Sequence, residues 1–341
     1  MAGNSAGGTP AICCTSAVTG VEGAQDRQLN GVFAVCLAGV IWGTIGPGLG
    51  LVYQWSGLSP WIITAYRVAA AVVALLAVAL VRGRLASTWS AARQEWRRVV
   101  AVGLLTAAFL LLFFLAVIAA GVSVATVVAL GFAPVLLLIL SCLQERRLHS
   151  AGRSLTVAGA VVGLLLVSVV GDAGQPAPHP VLGILAALTA GGSYALSAEV
   201  GKPLSHRLGS QTLTTATLCV AAAVLVPGGV LVGLLRGEAL GTADLKSWLA
   251  IIYLGVVTMA VAYTLFFTGL RNTSSGSAMV ATLIEPVAAV ILAVVFMHER
   301  LSWAGVLGCL LILSAIASLS RQPKQGGSDD PPDLSDLHLP H

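Results

Sequence analysis

The sequence predicts an all-α membrane protein of ten transmembrane helices, arranged as two inverted five-helix repeats. Three observations predict it: an apolar composition, apolar runs of bilayer-spanning length, and a self-similarity at a shift of 152 residues. Of the 341 residues, 57% are hydrophobic and only 9% charged, against about 25% charged in an ordinary soluble domain. A chain this apolar sits largely in lipid, where only helices and closed barrels satisfy backbone N–H and C=O groups. Barrel strands come as roughly ten-residue segments of alternating polarity. The runs here are longer and do not alternate, so they read as helices.

The runs fall at about 31–51, 60–81, 99–120, 123–142, 153–171, 181–200, 211–235, 247–269, 274–297 and 303–320. Each is near the roughly 20 residues needed to cross a bilayer. The sixth and seventh are interrupted, by Gly191-Gly192 and by Pro227-Gly228-Gly229. Residues 1–30, rich in Gly, Ala, Ser and Thr, lack the pattern of a signal peptide and read as a disordered tail. The polar, Pro-rich stretch 321–341 reads the same way. Cys36, Cys142, Cys219 and Cys309 lie in apolar runs as small hydrophobes, and Cys13-Cys14 has no metal-type partner pair. With the N-terminus inside, 14 Lys and Arg fall in inside segments and 3 (Arg236, Lys246, Arg300) outside. This satisfies the positive-inside rule and predicts a bacterial cytoplasmic (inner) membrane location with both termini cytoplasmic.

At the shift of 152, residues 103–135 align with 255–287 without a gap. Gly103/Gly255, Thr106/Thr258, Phe114/Phe266, Ser123/Ser275, Val128/Val280 and Pro134/Pro286 coincide, and Val68–Val72 matches Val220–Val224. Trp42 falls on Tyr194 and Gly39 on Gly191. The chain therefore divides into halves at 31–171 and 181–320. Five helices per half is an odd number, so the second half enters the membrane from the opposite face. Inverted halves with a site near the midplane are a common transporter plan.

The five-plus-five plan is joined by further motifs. These are "APV" (133–135) and "EPV" (285–287), the short Ser/Ala-rich links before them, and "ERRLHSAG" (145–152) echoed by "ERLSWAG" (299–305). In these features the chain resembles the EamA family of the drug/metabolite transporter superfamily, over about 31–320. The resemblance implies an exporter of amino acids, other metabolites or toxic compounds. The family pattern has Gly-Glu where this chain has Gln144-Glu145 and His298-Glu299. These helix-end acids lie beside arginines and read as interfacial ion pairs.

Glu285 is the leading site candidate. It lies near the middle of its run, where a charged group costs about 2.5–3.5 kcal/mol even on permissive insertion scales. Such a carboxyl can alternate between acid and carboxylate as protons or a cationic substrate come and go, or it can make a structural hydrogen bond. Pro286 removes a backbone hydrogen bond beside it and kinks the helix; Pro134 is its repeat mate, but Ala133 stands opposite Glu285. The proline is shared by the halves and the acid is not. Arg67 has three readings: it binds a carboxylate, snorkels to headgroups, or acts as the charge partner of Glu285. Glu199, near Lys202, reads as a snorkelling or Lys-paired acid. Trp42 and Tyr194 occupy equivalent places beside glycines, and with Tyr66, Tyr263, Phe109 and Phe113 they would line an apolar substrate pocket. Ordinary helix packing accounts for any one ring. Thr106 and Thr258 suggest hydrogen bonds between helices.

Enzyme motifs are missing. "GPGLG" (46–50) sits in a membrane helix with no strand before it and reads as a close-packing or unwinding site, and "HERLS" (298–302) lacks the second His of a zinc-protease motif. The expected partners are a small-molecule substrate and the lipid bilayer, with no nucleic acid, metal or cofactor and no oligomeric state specified. The expected activity is alternating-access export of a small amphipathic metabolite, an amino acid or a related compound, with proton coupling as a further expectation. The alternatives are a multidrug or cationic-compound exporter and a non-transporting membrane scaffold.

Overall fold

A computed structural model describes residues 13–145, 151–169, 178–297 and 303–319. Among these the backbone is helical with short turns and no strand. Eight stretches are long and apolar enough to cross a membrane: Gln28–Ser56, Pro60–Val81, Trp96–Ala120, Val122–Gln144, Pro180–Leu208, Ser210–Leu235, Leu245–Asn272 and Ser275–Leu292. The chain is a multi-pass membrane protein. Two further apolar stretches, Ser154–Val167 within α7 (Ala151–Val169) and Trp303–Ser318 within α14 (Trp303–Leu319), are shorter.

The first half holds α1 (Cys13–Gly43), α2 (Ile45–Ser56), α3 (Pro60–Val81), α4 (Leu85–Gln94), α5 (Trp96–Ala120), α6 (Val122–Glu145) and α7. The second holds α8 (Pro180–Leu208), α9 (Ser210–Leu235), α10 (Leu245–Gly255), a π-helical turn (Val256–Val261), α11 (Ala262–Asn272), α12 (Ser275–Thr282), α13 (Ile284–Met297) and α14. Sequence and structure differ at four places. α1 begins at Cys13, inside the stretch expected as a tail. The first crossing breaks at Thr44, whose hydroxyl bonds the Ile41 carbonyl (2.7 Å) in place of a helical continuation. α4 is a polar helix, absent from any reading of apolar runs. α8 and α9 run unbroken through Gly191-Gly192 and Pro227. The tail at 321–341, and Arg146, Arg147, His298, Glu299 and Arg300, lie outside the described residues, as does the side chain of Glu145.

Gly191 in α8 and Gly229 in α9 serve packing. A Cβ on Gly191 would strike the Ala129 carbonyl, and one on Gly229 would lie 2.8 Å from the Trp61 carbonyl. Removing the side chain lets helices approach closely, the usual way apolar helices associate in lipid. Elsewhere the repeat is visible in turn chemistry. α3 and α9 end with the same pattern: Arg82 N–H bonds Val78 O, as Arg236 N–H bonds Val232 O. Gly83 and Gly237, both at φ 64°, follow in the left-handed region that glycine adopts without a steric penalty.

Packing between the halves is exchange-symmetric. α1 packs on α11 as α8 packs on α5; α3 packs on α10 and the π turn as α9 packs on α5; α1 packs on α13 as α8 packs on α6. Two pairs of equivalent helices meet each other, and both run antiparallel. In α7 and α14, Thr156 bonds Ser318 (3.0 Å), while Gly163 faces Gly308 and Leu311. In α3 and α9, Arg82 bonds Gln211 (3.0 Å) at one end, while Trp61 and Ala65 face Gly229 at the other.

Outside the apolar layer, Asp244 caps α10. Its carboxylate accepts from the Ser247 hydroxyl (2.7 Å), the Ser247 N–H (2.9 Å) and the Lys246 N–H (3.4 Å). These bonds, the Ser247 hydroxyl first, hold the carboxyl below the usual aspartate range. The stabilisation is present above that range and is lost as pH falls through the lowered folded value. Asp244→Asn is expected to keep most of the cap and to remove this acid-side dependence, while Asp244→Ala lowers the melting temperature at neutral pH. Thermal unfolding in detergent as a function of pH checks both.

Candidate functional site

Three irregular backbone features, each about halfway along its crossing, converge: the break after Gly43, the π turn, and the break at Leu283 between α12 and α13. Pro286 has no N–H to continue the ladder. α12 ends at Thr282, Leu283 N–H turns to the Val280 carbonyl (3.1 Å), and α13 restarts at Ile284. Glu285 thereby sits in the first turn of a helix that begins inside the bundle, where the helix dipole favours negative charge. The symmetric Pro134 leaves α6 continuous. Gly39 and Gly43 of α1 cross this turn; a Cβ on Gly43 would lie 2.8 Å from the Glu285 carbonyl oxygen.

Trp42, between those glycines, points its ring at the π turn. Its Nε1–H donates to the Thr258 carbonyl at 2.8 Å. A π turn shifts carbonyls out of the ordinary ladder, and such turns are frequent at functional positions. The Thr106 and Thr258 hydroxyls bond back to carbonyls of their own helices, Val102 and Leu254. The expected bond between helices comes from the Thr258 backbone instead.

The rings form a cluster around Trp42. Tyr263 lies 5.3 Å away edge-on, Phe266 5.7 Å, and Tyr194 6.3 Å. Phe109 stacks on Tyr194 at 4.8 Å, and Phe113 reaches the cluster through Phe109 at 5.8 Å. Trp42, Tyr194, Tyr263 and Phe266 are all buried. Tyr66 is not brought to this cluster. Its ring packs on Trp248 at 5.1 Å and its hydroxyl donates to the Leu240 carbonyl, in a separate apolar cluster with Ile62 and Ile251. Phe266 was missed. It was detectable as the repeat mate of Phe114 and as one turn from Tyr263 on the same helix face.

Glu285 is half-buried and lies within electrostatic reach of Arg67, Tyr194 and Tyr263. It makes no hydrogen bond or ion pair among the described residues. Arg67 is only 6% exposed, so it does not snorkel to the headgroups. It forms no ion pair with Glu285, and its Nε has no acceptor. The Tyr194 hydroxyl, also buried, lies near the Thr282 hydroxyl, which donates to the Met279 carbonyl (2.8 Å) and is free only to accept; the two do not meet in hydrogen-bond geometry. Glu199 is half-buried on α8. Among the described residues no group of His, Cys, Asp and Glu would hold a metal ion.

A bundle of long apolar helices, with breaks and charged groups brought together midway along the crossings, is an arrangement that membrane transport proteins use. The chain belongs to the EamA-like transporter family, whose model matches residues 29–169 and 181–321, once in each half. It is 27% identical over 295 residues to the uncharacterized transporter YwfM of Bacillus subtilis, covering 85% of this chain and 94% of that protein. An uncharacterized transporter of Archaeoglobus fulgidus is 27% identical over 187 residues, covering 55% of this chain and 63% of that one. A solved crystal structure superposes with a TM-score of 0.68 at 23% identity, covering 87% of this chain and 99% of the other, which supports the fold.

Proposed function

We propose that this chain is a secondary transporter that exports a small amphipathic metabolite, an amino acid or a related compound, by alternating access. Ten crossings in two inverted halves, spanning the cytoplasmic membrane with both termini inside, would rock around the site between α1, α3, α5, α8, α11 and α13. The observation that carries this reading is the exchange-symmetric, antiparallel packing of equivalent helices around an acid present in only one half. Halves that can exchange conformations supply two states of similar energy, open to opposite sides. Trp42, Tyr194, Tyr263, Phe109, Phe113 and Phe266 would hold the apolar part of the substrate, and Glu285 would couple transport to protons.

A cationic-compound exporter is the second reading, because ring faces next to an acid attract cations. Purified protein reconstituted in liposomes, loaded with a panel of amino acids and amines and energised by a pH gradient, tests both. Gradient-dependent flux of amino acids supports the first reading, flux of amines alone supports the second, and no flux of any compound removes transport.

A further inference from the structure

We propose that Arg67 is the receptor for a carboxylate on the transported molecule, so that the site takes a carboxylate with an apolar body and favours one that also carries an ammonium group. The inference deepens the transporter reading and rests on it.

Among the described residues the fold leaves a buried cation without a partner. A guanidinium presents five donors in a planar fork, and an unpaired charge buried in protein is strongly unfavourable. Arg67 is more than nine-tenths buried, yet it makes no hydrogen bond or ion pair among the described residues, and its Nε is sealed from solvent without an acceptor. Its backbone is pinned. Gly255, at the end of α10, lies so close that a Cβ there would strike the Arg67 carbonyl and lie 2.7 Å from the Ala70 Cβ. The helix therefore has little room to slide and carry the charge to water. Glu285 is in electrostatic reach but does not pair with it. The Tyr194 hydroxyl is a second buried polar atom left without a partner in the same region.

Separated cation and anion, both within electrostatic reach of the ring cluster at Tyr263, complement a particular ligand. A carboxylate accepts two parallel bonds from the fork. An apolar body packs on the rings, and an ammonium group faces Glu285. A ligand that is only cationic would bring like charge toward Arg67 in a low-dielectric interior, where repulsion is poorly screened.

Three probes with one ring separate these chemistries: L-phenylalanine, 3-phenylpropionate (no ammonium) and phenethylamine (no carboxylate). Thermal shift on detergent-purified full-length protein reads binding, because a specific ligand raises apparent stability by mass action. Flux of the same compounds in proteoliposomes reads transport. L-Phenylalanine and then 3-phenylpropionate are expected to stabilise the wild type, and phenethylamine to have no effect. R67Q is expected to weaken both carboxylates by roughly ten- to hundredfold, as loss of a charged hydrogen bond implies. R67K falls between, keeping the charge and losing the fork. R67M, which removes a buried unpaired charge, is expected to melt no lower than the wild type without ligand, whereas a structural cation would make it melt lower.

Stabilisation by phenethylamine alone, no response to either carboxylate, an unchanged carboxylate response in R67Q or R67M, or a lower melting temperature for ligand-free R67M each overturns the assignment. Movement of phenethylamine without either carboxylate removes the role of Arg67 and leaves the transporter. No movement of any of the three removes the role of Arg67, and no flux across the wider panel of amino acids and amines removes the transporter as well.

Discussion

Replacing Glu285 with glutamine is expected to leave the protein folded and inserted, to cut transport at least tenfold, and to abolish its dependence on pH between about 5.5 and about 8. The fold argues for the first part. Glu285 makes no hydrogen bond or ion pair among the described residues, so the neutral isostere breaks no network. It also relieves the membrane interior of a charge costing about 2.5–3.5 kcal/mol. The site argues for the second. A carboxylate facing a substrate ammonium contributes a charged hydrogen bond of about 1.5–3 kcal/mol, or roughly ten- to hundredfold in affinity. The third follows from the surroundings. The titratable groups in electrostatic reach of Glu285 are Arg67, Tyr194 and Tyr263, side-chain types that ordinarily titrate well above that window. If coupling runs through this region, the carboxyl carries it. Initial flux in proteoliposomes, with size-exclusion profiles of wild type and variant, measures all three. A glutamine variant that transports as fast as the wild type with the same pH profile would remove Glu285 from the mechanism.

The contrast between Glu285 and Arg67 shows what the sequence could carry. An acid beside a proline in an apolar run is conspicuous because hydrocarbon penalises it wherever the side chain points, and the repeat marks it as unmatched. The crossings were legible for the same reason, since lipid enforces length and polarity along the whole helix. Arg67 was visible as a charge, but its meaning depends on the absence of an acceptor, which is a property of tertiary placement. Tyr66 and Phe266 were misjudged because period and polarity say which face a ring is on, not which neighbour meets it. The break at Thr44 lies in a stretch rich in poor helix formers, Gly43, Gly46, Pro47, Gly48 and Gly50, so an interruption there had a compositional signature. The π turn at Val256–Val261 has none; tertiary contacts such as the bond from Trp42 to the Thr258 carbonyl hold its altered carbonyls. Gly191 and Gly229 looked like interruptions in one dimension and are contact points in three.

Three glycines give the same substitution opposite signs. Gly→Ala in a helix interior is favourable by about 0.8–1.0 kcal/mol from propensity alone. Nothing lies within 4 Å of a Cβ on Gly50 in α2, so alanine there is expected to raise the melting temperature slightly and leave transport unchanged. At Gly43 the added methyl would sit 2.7 Å from the Ala288 Cβ, 2.8 Å from the Glu285 carbonyl and 3.0 Å from the Ala289 nitrogen. Two of these are backbone atoms of α13, which cannot rotate aside, so the helices must separate. Overpacking of this kind costs about 1–3 kcal/mol, which exceeds the propensity gain. Gly39 is intermediate, because the atom its methyl would strike is the Cγ2 of Ile284, a side-chain methyl, and the nearest backbone atom, the Thr282 carbonyl oxygen, lies 3.2 Å away. The expected order of stability is therefore Gly50→Ala above wild type, then Gly39→Ala, then Gly43→Ala. Transport should fall furthest at Gly43, because the displaced backbone is the turn that carries Glu285. Melting curves and flux for the three variants test the order; a Gly43→Ala protein that melts and transports like Gly50→Ala would mean that the α1–α13 crossing does not hold the site together.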